Sequence, residues 1–197
     1  MIRTLLLSAA LALLPVAAEA ATIKVEVTRF HVLGPANSLA GNSITVVPAD
    51  PAAQTELQFG ALAGITTAEL AKAGFKLATG AGSDLVARVT LSGSSQVVQK
   101  RAPFSIGIGG ATGGWRGGVG GGLSFPLGGG TRTVTSAEML LQIRKASDGT
   151  ALWEGRASTI SPGADPISAA PALLQALLQG FPGPTGQTQS VKVKTNP

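Results

Sequence analysis

The chain has 197 residues, including 27 glycines, a single histidine, no cysteine and no tyrosine, and its formal net charge is +5 at pH 7. The lack of cysteine excludes disulfides and thiolate-ligated metal sites, and the protein is not expected to be a lipoprotein, because lipidation of that kind needs a cysteine. Lysine and arginine are scattered in runs no longer than two, whereas nucleic-acid binders concentrate them on one face, so nucleic acid is not an expected partner.

The first twenty residues have the three parts of a secretory signal peptide. Arg3 supplies a positive charge, Leu5–Leu14 is an apolar run, and Ala18–Ala20 provides a small-x-small cleavage site. The run is too short to cross a membrane, since a spanning helix needs about 20 apolar residues. We therefore expect residues 1–20 to be removed, with cleavage after Ala18 as an alternative. The mature chain is expected in the periplasm, either free or peripheral at the outer membrane, with no transmembrane segment.

This expectation leads to a first prediction. Protein recovered from the periplasm should begin at Ala21 and carry no lipid, because the apolar run is followed by a cleavage site and no cysteine follows it. Intact-mass measurement of the periplasmic fraction checks both points. A mass that retains residues 1–20 would contradict the signal peptide.

The first half of the remaining chain combines strand and helix patterns. Alternating apolar and polar side chains predict strands over Thr22–Phe30 and Ser43–Val47. Ala52–Ala73 has apolar residues near helical spacing, which predicts a helix whose apolar face is formed by Leu57, Ala61, Ile65, Leu70 and Ala73. Thr66 or the threonine after it is a candidate cap that restarts this helix. Gly74 stands where a left-handed residue commonly ends a helix.

The second half is predicted in the same way. Four further strands are expected over Phe75–Thr79, Leu85–Leu91, Thr133–Lys145 and Ala151–Ser158, the last two joined by a hairpin turn at Ser147–Gly149. Ala169–Gln179 is predicted as a second helix, with Ser168 as its cap and Gly180 as its end. Beyond residue 184 the chain is polar, and the alternation in Gln189–Lys194 allows an additional edge strand.

These elements predict an α+β fold: a mainly antiparallel sheet with two helices packed on it and a Gly-rich hairpin insert. The prediction follows from strand hairpins interspersed with helices and from the absence of a repeated β-α-β unit. The expected organisation is a signal peptide (1–20), a single envelope domain (21–184) with the Gly-rich insert at 105–130, and a polar C-terminal tail (185–197). Trp153 is expected in the core of this domain, with ligand stacking as the less favoured alternative.

The Gly-rich insert holds 13 of the 27 glycines. It contains no Gly-x-Gly-x-x-Gly and no Gly-Lys-Ser/Thr, so it is not a phosphate-binding loop. One alternative is a flexible crossover between two strands. The other is a hairpin, because apolar residues alternate at both of its ends. In the hairpin alternative the candidate binding residues are Trp115, Arg116 and Phe125, since aromatic and arginine side chains are favoured interface anchors.

The sequence offers little for catalysis. A Ser-His-Asp triad would have to use His31, the only histidine, which falls at the end of the first strand and is interpreted as a surface residue. Catalytic residues, a metal site and cofactors are therefore not expected. Asp148 and Glu154 lie on one hairpin, which leaves a small carboxylate-dependent hydrolase acting on an envelope component as the alternative function.

Four features carry a family resemblance: a helix that ends Leu70–Phe75 and leads to the aspartate-led strand Asp84–Ala87, the Gly-rich stretch, the hairpin Asp148–Ala157, and a terminal helix that leads into Phe181-Pro182. In this order, from Thr22 to Phe181, the chain resembles DUF4136, a family of bacterial envelope proteins. The resemblance implies an envelope location and supplies no activity or catalytic residues. Many members look like lipoproteins, and this chain departs from them in having no cysteine.

The expected function is a non-enzymatic periplasmic or envelope-associated module that binds or helps assemble an envelope component. Its expected partner is an envelope protein or an anionic envelope lipid. An apolar groove beside the glycine segment would favour binding, carboxylates clustered in a cleft would favour the hydrolase, and neither feature would favour a purely structural accessory protein.

Overall fold

A computed structural model describes residues 21–34, 39–79, 82–98, 132–162 and 165–195. These residues form one seven-stranded sheet of order β3-β2-β4-β5-β6-β1-β7, together with two α-helices. The elements are β1 (Ala21–His31), β2 (Ser43–Pro48), α1 (Leu57–Lys72), β3 (Lys76–Leu77), β4 (Leu85–Val98), β5 (Arg132–Lys145), β6 (Ala151–Pro162), α2 (Ala170–Leu178) and β7 (Thr188–Thr195). Short 3₁₀ helices, Pro51–Thr55 and Pro166–Ala169, precede α1 and α2.

Most strand pairs in the sheet are antiparallel, and both helices pack on one of its faces, as the sequence predicts. The exception is β2, which runs parallel to both β3 and β4. Helix α1 separates β2 from β4 in the chain, and a crossover of this kind brings two strands side by side in the same direction. The edge strand expected over Gln189–Lys194 is confirmed as β7, which pairs with β1.

The core lies between the sheet and the two helices. The alternating residues of the central strands face it and are buried, as predicted: Leu85, Val89, Ala137, Met139, Leu141, Ile143, Trp153 and Ala157. Helix α2 lies against β1, β5, β6 and β7, and Leu173, Leu174 and Leu177 are inaccessible to solvent. Burial of this apolar surface is the main favourable contribution to folding, at about 25 cal/mol per Å².

The prediction is wrong for the N-terminal part of the first helix. Pro51–Thr55 is a 3₁₀ helix capped by Asp50, and α1 begins at Leu57, whose side chain is 94% exposed. The buried face of α1 consists of Phe59, Leu62, Thr66 and Leu70. Leu57 and Ala61 of the predicted face are exposed, whereas Leu70 is buried as predicted and Ile65 packs partly against the core. Several apolar stripes are compatible with the sequence of this helix, and the position of the sheet determines which one is buried.

Two predicted caps are also wrong. Thr66 is buried within α1, where its hydroxyl donates to the carbonyl of Leu62 at 2.8 Å. Ser168 Oγ donates to the carbonyl of Asp165, and the Asp165 carboxylate caps the 3₁₀ helix before α2. The helix ends are confirmed: Gly74 has φ +94° and Gly180 has φ +65°, both in the left-handed region that favours glycine.

Strands β4 and β5 continue as a pair beyond the end of β2, and this outer part, 92–98 and 132–138, is called the hairpin arm. They pair along their whole lengths, from Leu85 opposite Lys145 to Val98 opposite Arg132. The outer part of β4, 92–97, is exposed to solvent. The strands that flank the Gly-rich insert are therefore hydrogen-bonded neighbours, as the base of a hairpin requires. The insert itself, with Trp115, Arg116 and Phe125, lies outside the described residues.

Candidate functional site

An apolar cleft of about 200 Å³ lies where the hairpin arm leaves the body of the domain. Its walls come from the end of β2, from both 3₁₀ helices, from the first turns of α1 and from the middle of β4. The apolar residues that line it are Pro48, Ala49, Ala53, Phe59, Leu62, Val89, Leu91 and Ile167. Two carboxylates, Asp50 and Glu56, also border it. A concave, mainly apolar surface with a few polar groups is the usual form of a binding site.

The turn after β2 fixes one wall of the apolar cleft. The amide of Ala49 donates to the carbonyl of Val89 at 3.3 Å, which ties the turn to β4. Asp50 Oδ1 accepts from the amide of Ala52 at 2.9 Å, so this carboxylate caps the 3₁₀ helix. The cleft wall is therefore held by backbone contacts and by a cap.

The opposite wall depends on a close approach at Gly93. A Cβ atom added there would lie 2.6 Å from the carbonyl oxygen of Ser136 and 2.8 Å from Pro166. Only glycine allows the 3₁₀ helix at Pro166 to rest on β4 in this way. The contact places Ile167 in the apolar cleft, immediately beside the root of the hairpin arm.

Trp153 belongs to the core, as predicted, and only 1% of it is exposed. Its Nε1 donates to the carbonyl of Pro182 at 3.0 Å, and its ring lies 5.3 Å from that of Phe181. Phe181 in turn makes an edge contact with Phe75 at 5.4 Å. A ring enclosed on these sides has no free face for a ligand, which removes the stacking alternative.

His31 ends β1, as predicted, and its side chain is half-buried, not fully exposed. Its Nε2 lies 2.8 Å from the carbonyl oxygen of Gly183, and its backbone amide donates to Thr185 Oγ1 at 3.2 Å. Both contacts hold the segment that follows α2 against β1. The histidine therefore has a structural role in the described part of the chain.

Arg29 was not identified from the sequence, although it continues the buried face of β1 after Val25 and Val27. It is 3% exposed. Its Nε donates to the carbonyl of Leu177 at 2.9 Å, and its Nη2 donates to those of Ala176 at 2.7 Å and Gln179 at 3.1 Å. Burial lowers the pKa of the guanidinium. The side chain caps the C-terminus of α2, where a positive charge is favoured.

The Ser43–Asp84 pair was also not identified, although Asp84 leads one of the family motifs. Asp84 Oδ2 accepts from Ser43 Oγ at 2.6 Å and from the Ser43 amide at 3.0 Å, and the Asp84 amide donates to Ser43 Oγ at 2.8 Å. The hydrogen bonds from Ser43 lower the pKa of the Asp84 carboxyl. They join β2 and β4 where the two parallel strands start.

The two carboxylates considered for hydrolysis are each engaged separately. Asp148 Oδ1 accepts from the amide of Thr150 at 2.8 Å, and this hydrogen bond lowers the pKa of its carboxyl. Glu154 accepts from Gln142 at 2.8 Å and pairs with Arg156 at 3.2 Å. Within the described ranges, no group of three or more His, Cys, Asp or Glu side chains is arranged to hold a metal ion.

These features define a class: an α+β domain with structurally engaged polar groups in its interior and an apolar cleft on its surface. The chain belongs to the DUF4136 family, whose description is "domain of unknown function", and residues 34–183 match it. No protein with a curated description matches the chain. In the part of the chain that the structure describes, neither helix has the length and apolar character needed to cross a membrane.

Solved structures to which this chain is similar differ widely from it in sequence. A PDZ domain protein from Parabacteroides distasonis is 13% identical with a TM-score of 0.53, over 89% of this chain and 40% of that one. This chain therefore spans about two fifths of that protein. Two PelC dodecamers from Paraburkholderia phytofirmans have TM-scores of 0.40 and 0.39, with 15% and 14% identity, over 82% and 77% of this chain and 99% and 94% of theirs.

Proposed function

We propose that this protein is a non-catalytic binding or assembly module of the bacterial cell envelope, exported to the periplasm by residues 1–20. In this proposal the apolar cleft holds an apolar side chain of an envelope protein. The observation that carries the proposal is the cleft itself, a concave apolar surface beside the root of the hairpin arm. The cleft borders β4, the strand that leads towards the glycine segment, and its apolar lining favours binding over the other two functions.

The surroundings of the apolar cleft support the proposal. Leu57, next to the cleft residues Glu56 and Gln58 in the chain, is 94% exposed. An isolated exposed leucine is ordinary, but one beside an apolar cleft extends the surface that a partner can bury. The cleft walls belong to helices, a strand and a capped turn, so little ordering is needed when a partner binds.

The carboxylate-dependent hydrolase is the weaker alternative. It needs two carboxylates that face one substrate, one of them free to act as a base or nucleophile. Asp148 and Glu154 are engaged with different partners. Asp50 and Glu56 share the border of the apolar cleft, but Asp50 already caps a helix. If Asp50 and Glu56 were the catalytic pair, Asp50→Asn with Glu56→Gln would abolish hydrolysis. The same double variant would leave capture of an apolar side chain largely intact.

Filling the apolar cleft should remove binding. With p-benzoylphenylalanine placed at Leu57, irradiation of intact cells should give a specific crosslinked product. Ala53→Phe places a ring in the cleft, and we expect it to reduce the yield of that product about tenfold, because a buried apolar side chain contributes roughly 1.5–3 kcal/mol. Quantitative immunoblotting of the product measures the effect.

The matched control is Ala61→Phe, which adds the same ring to an exposed position of α1 outside the cleft. The control should leave the product unchanged. A product that persists at full yield in Ala53→Phe, or that is lost equally in both variants, would show that the cleft is not the binding site.

A further inference from the structure

Strand β7 has an edge without a partner strand in the described part of the chain. It is last in the sheet order and pairs with β1 alone. An edge of this kind presents backbone N–H and C=O groups to solvent, which is a template for another strand. Natural edges are usually protected by charge, by proline or by a covering segment.

The hydrogen bonds of β1 determine which residues of β7 face this edge. The amide of Val32, which follows β1, donates to the carbonyl of Leu152 at 3.2 Å on the β6 side. Backbone groups alternate sides along a strand, so the even-numbered residues of β1 direct theirs towards β6. Odd-numbered residues therefore point towards β7, and the carbonyl of Arg29 does accept from Gly186 on that side. Because Val25 is opposite Val191, the alternation leaves the backbone groups of Ser190, Lys192 and Lys194 pointing outwards.

A groove of about 970 Å³ runs beside this edge, between β7 and the two helices. Its lining includes Lys192 and Lys194 from the edge and Gln175 and Gln179 from the region of α2. The only carboxylate among its lining residues, Glu69, is paired with Lys72 at 2.6 Å. Because Val193 is buried beneath the helices, strand alternation places the side chains of Lys192 and Lys194 on the opposite face of the sheet, where both are exposed. Among the described residues neither forms a salt bridge, so their positive charge lies along the edge of β7.

We propose that the free edge of β7 binds an extended acidic segment of another protein, which adds a strand to the sheet. The outward backbone groups of Ser190, Lys192 and Lys194 form the ladder, as in other cases of strand addition. Acidic side chains at alternate positions of the segment lie opposite Lys192 and Lys194, where cross-strand pairs of opposite charge are favourable. This site is separate from the apolar cleft, and its use does not depend on the function proposed there.

Two other occupants fit the edge less well. A second copy of this chain, paired β7 to β7, would place lysines opposite lysines, and like charges across a ladder are destabilising. An anionic lipid surface would use the lysine charges but would leave the backbone groups of the edge unpaired. An acidic strand pairs with the lysine charges and also with the backbone groups of the edge, and it is preferred for that reason.

The test uses the mature chain and a fluorescent peptide of alternating glutamate and valine, with fluorescence anisotropy as the measurement. Ser190→Pro removes an outward N–H without changing charge or a bond to β1, and an edge strand tolerates proline. Lys192→Glu reverses one charge at the edge. Each should weaken binding about tenfold, from lost ladder hydrogen bonds or charge pairing. Lys76→Glu, the same charge change on β3, should alter the affinity by less than about twofold.

Several outcomes would overturn the proposal. Equal losses in Lys192→Glu and Lys76→Glu would indicate attraction by net charge alone. Unchanged peptide binding in Ser190→Pro, with Lys192-dependent binding to phosphatidylglycerol vesicles, would identify a lipid surface instead. If Ser190→Pro does not fold, the wild-type chain is tested with a peptide that is N-methylated at alternate residues in either frame. Full affinity for both methylated peptides would equally exclude strand addition.

Discussion

Trp153→Ala is expected to lower the free energy of unfolding by about 3–5 kcal/mol, the usual cost of truncating a large buried aromatic side chain. The indole is 1% exposed and packs against Phe181. Its removal leaves a cavity and also leaves the carbonyl of Pro182 without its donor. Urea unfolding of the wild type and the variant, followed by circular dichroism, measures the difference.

Two further variants distinguish the contribution of the hydrogen bond to Pro182 from that of the packing around the indole. Trp153→Phe keeps an aromatic ring but loses the hydrogen bond to Pro182, so its loss should be smaller than that of Trp153→Ala. Gly155→Ala tests the packing from the other side, because an added Cβ would overlap the Trp153 ring and lie 2.7 Å from Leu177 Cδ2. Overpacking of this kind costs about 1–3 kcal/mol. A loss under about 1 kcal/mol in Trp153→Ala would place the indole outside the core.

Arg29→Met is expected to lower the free energy of unfolding by about 2–4 kcal/mol. Methionine retains much of the apolar stem but removes the donors to the carbonyls of Ala176, Leu177 and Gln179. Buried acceptors left without a partner cost about 1–3 kcal/mol each, and the loss of a positive charge at a helix C-terminus adds to this. Part of the sum is offset, because methionine does not carry the cost of removing a charge from water that the buried guanidinium does. Urea unfolding gives the total, and hydrogen exchange at Gln179 should show fraying at the end of α2.

Arg29→Lys is the matched control for charge. Lysine keeps the positive charge but lacks the planar group that reaches several carbonyls at once. The free energy of unfolding of Arg29→Lys should therefore lie between that of the wild type and that of Arg29→Met. If Arg29→Met unfolds within about 0.5 kcal/mol of the wild type, the guanidinium does not hold α2 in place.

Most of the secondary structure could be predicted because the periodicity of apolar side chains and the residues that end helices and strands are local features of the sequence. Alternation along Thr133–Lys145 predicts a strand with one buried face, and the structure has that strand and that face as β5. Gly74 predicts a helix end because few other residues adopt its positive φ without strain. The core position of Trp153 follows from its place on the apolar face of a hairpin strand.

The candidate site could not be predicted, since it depends on contacts between distant parts of the chain. The apolar cleft joins Pro48, Val89 and Ile167, and no spacing in the sequence brings these residues together. The parallel pairing of β2 with β4 could not be predicted from the sequence either, because the alternation of side chains is the same whichever way the neighbouring strand runs. The candidate residues Trp115, Arg116 and Phe125 remain predictions, because they lie outside the described residues.

The sequence by itself determined most of the elements, the inward face of most strands and the family, because these follow from side-chain period, glycine geometry and motif order. Only the tertiary structure decided which stripe of α1 is buried, since the sheet selects one of several apolar faces. It also decided that Arg29 is buried, because the end of α2 supplies carbonyls that offset the cost of removing the charge from water. The free edge of β7 arises in the same way, from the position of the strand in the sheet and not from its own residues.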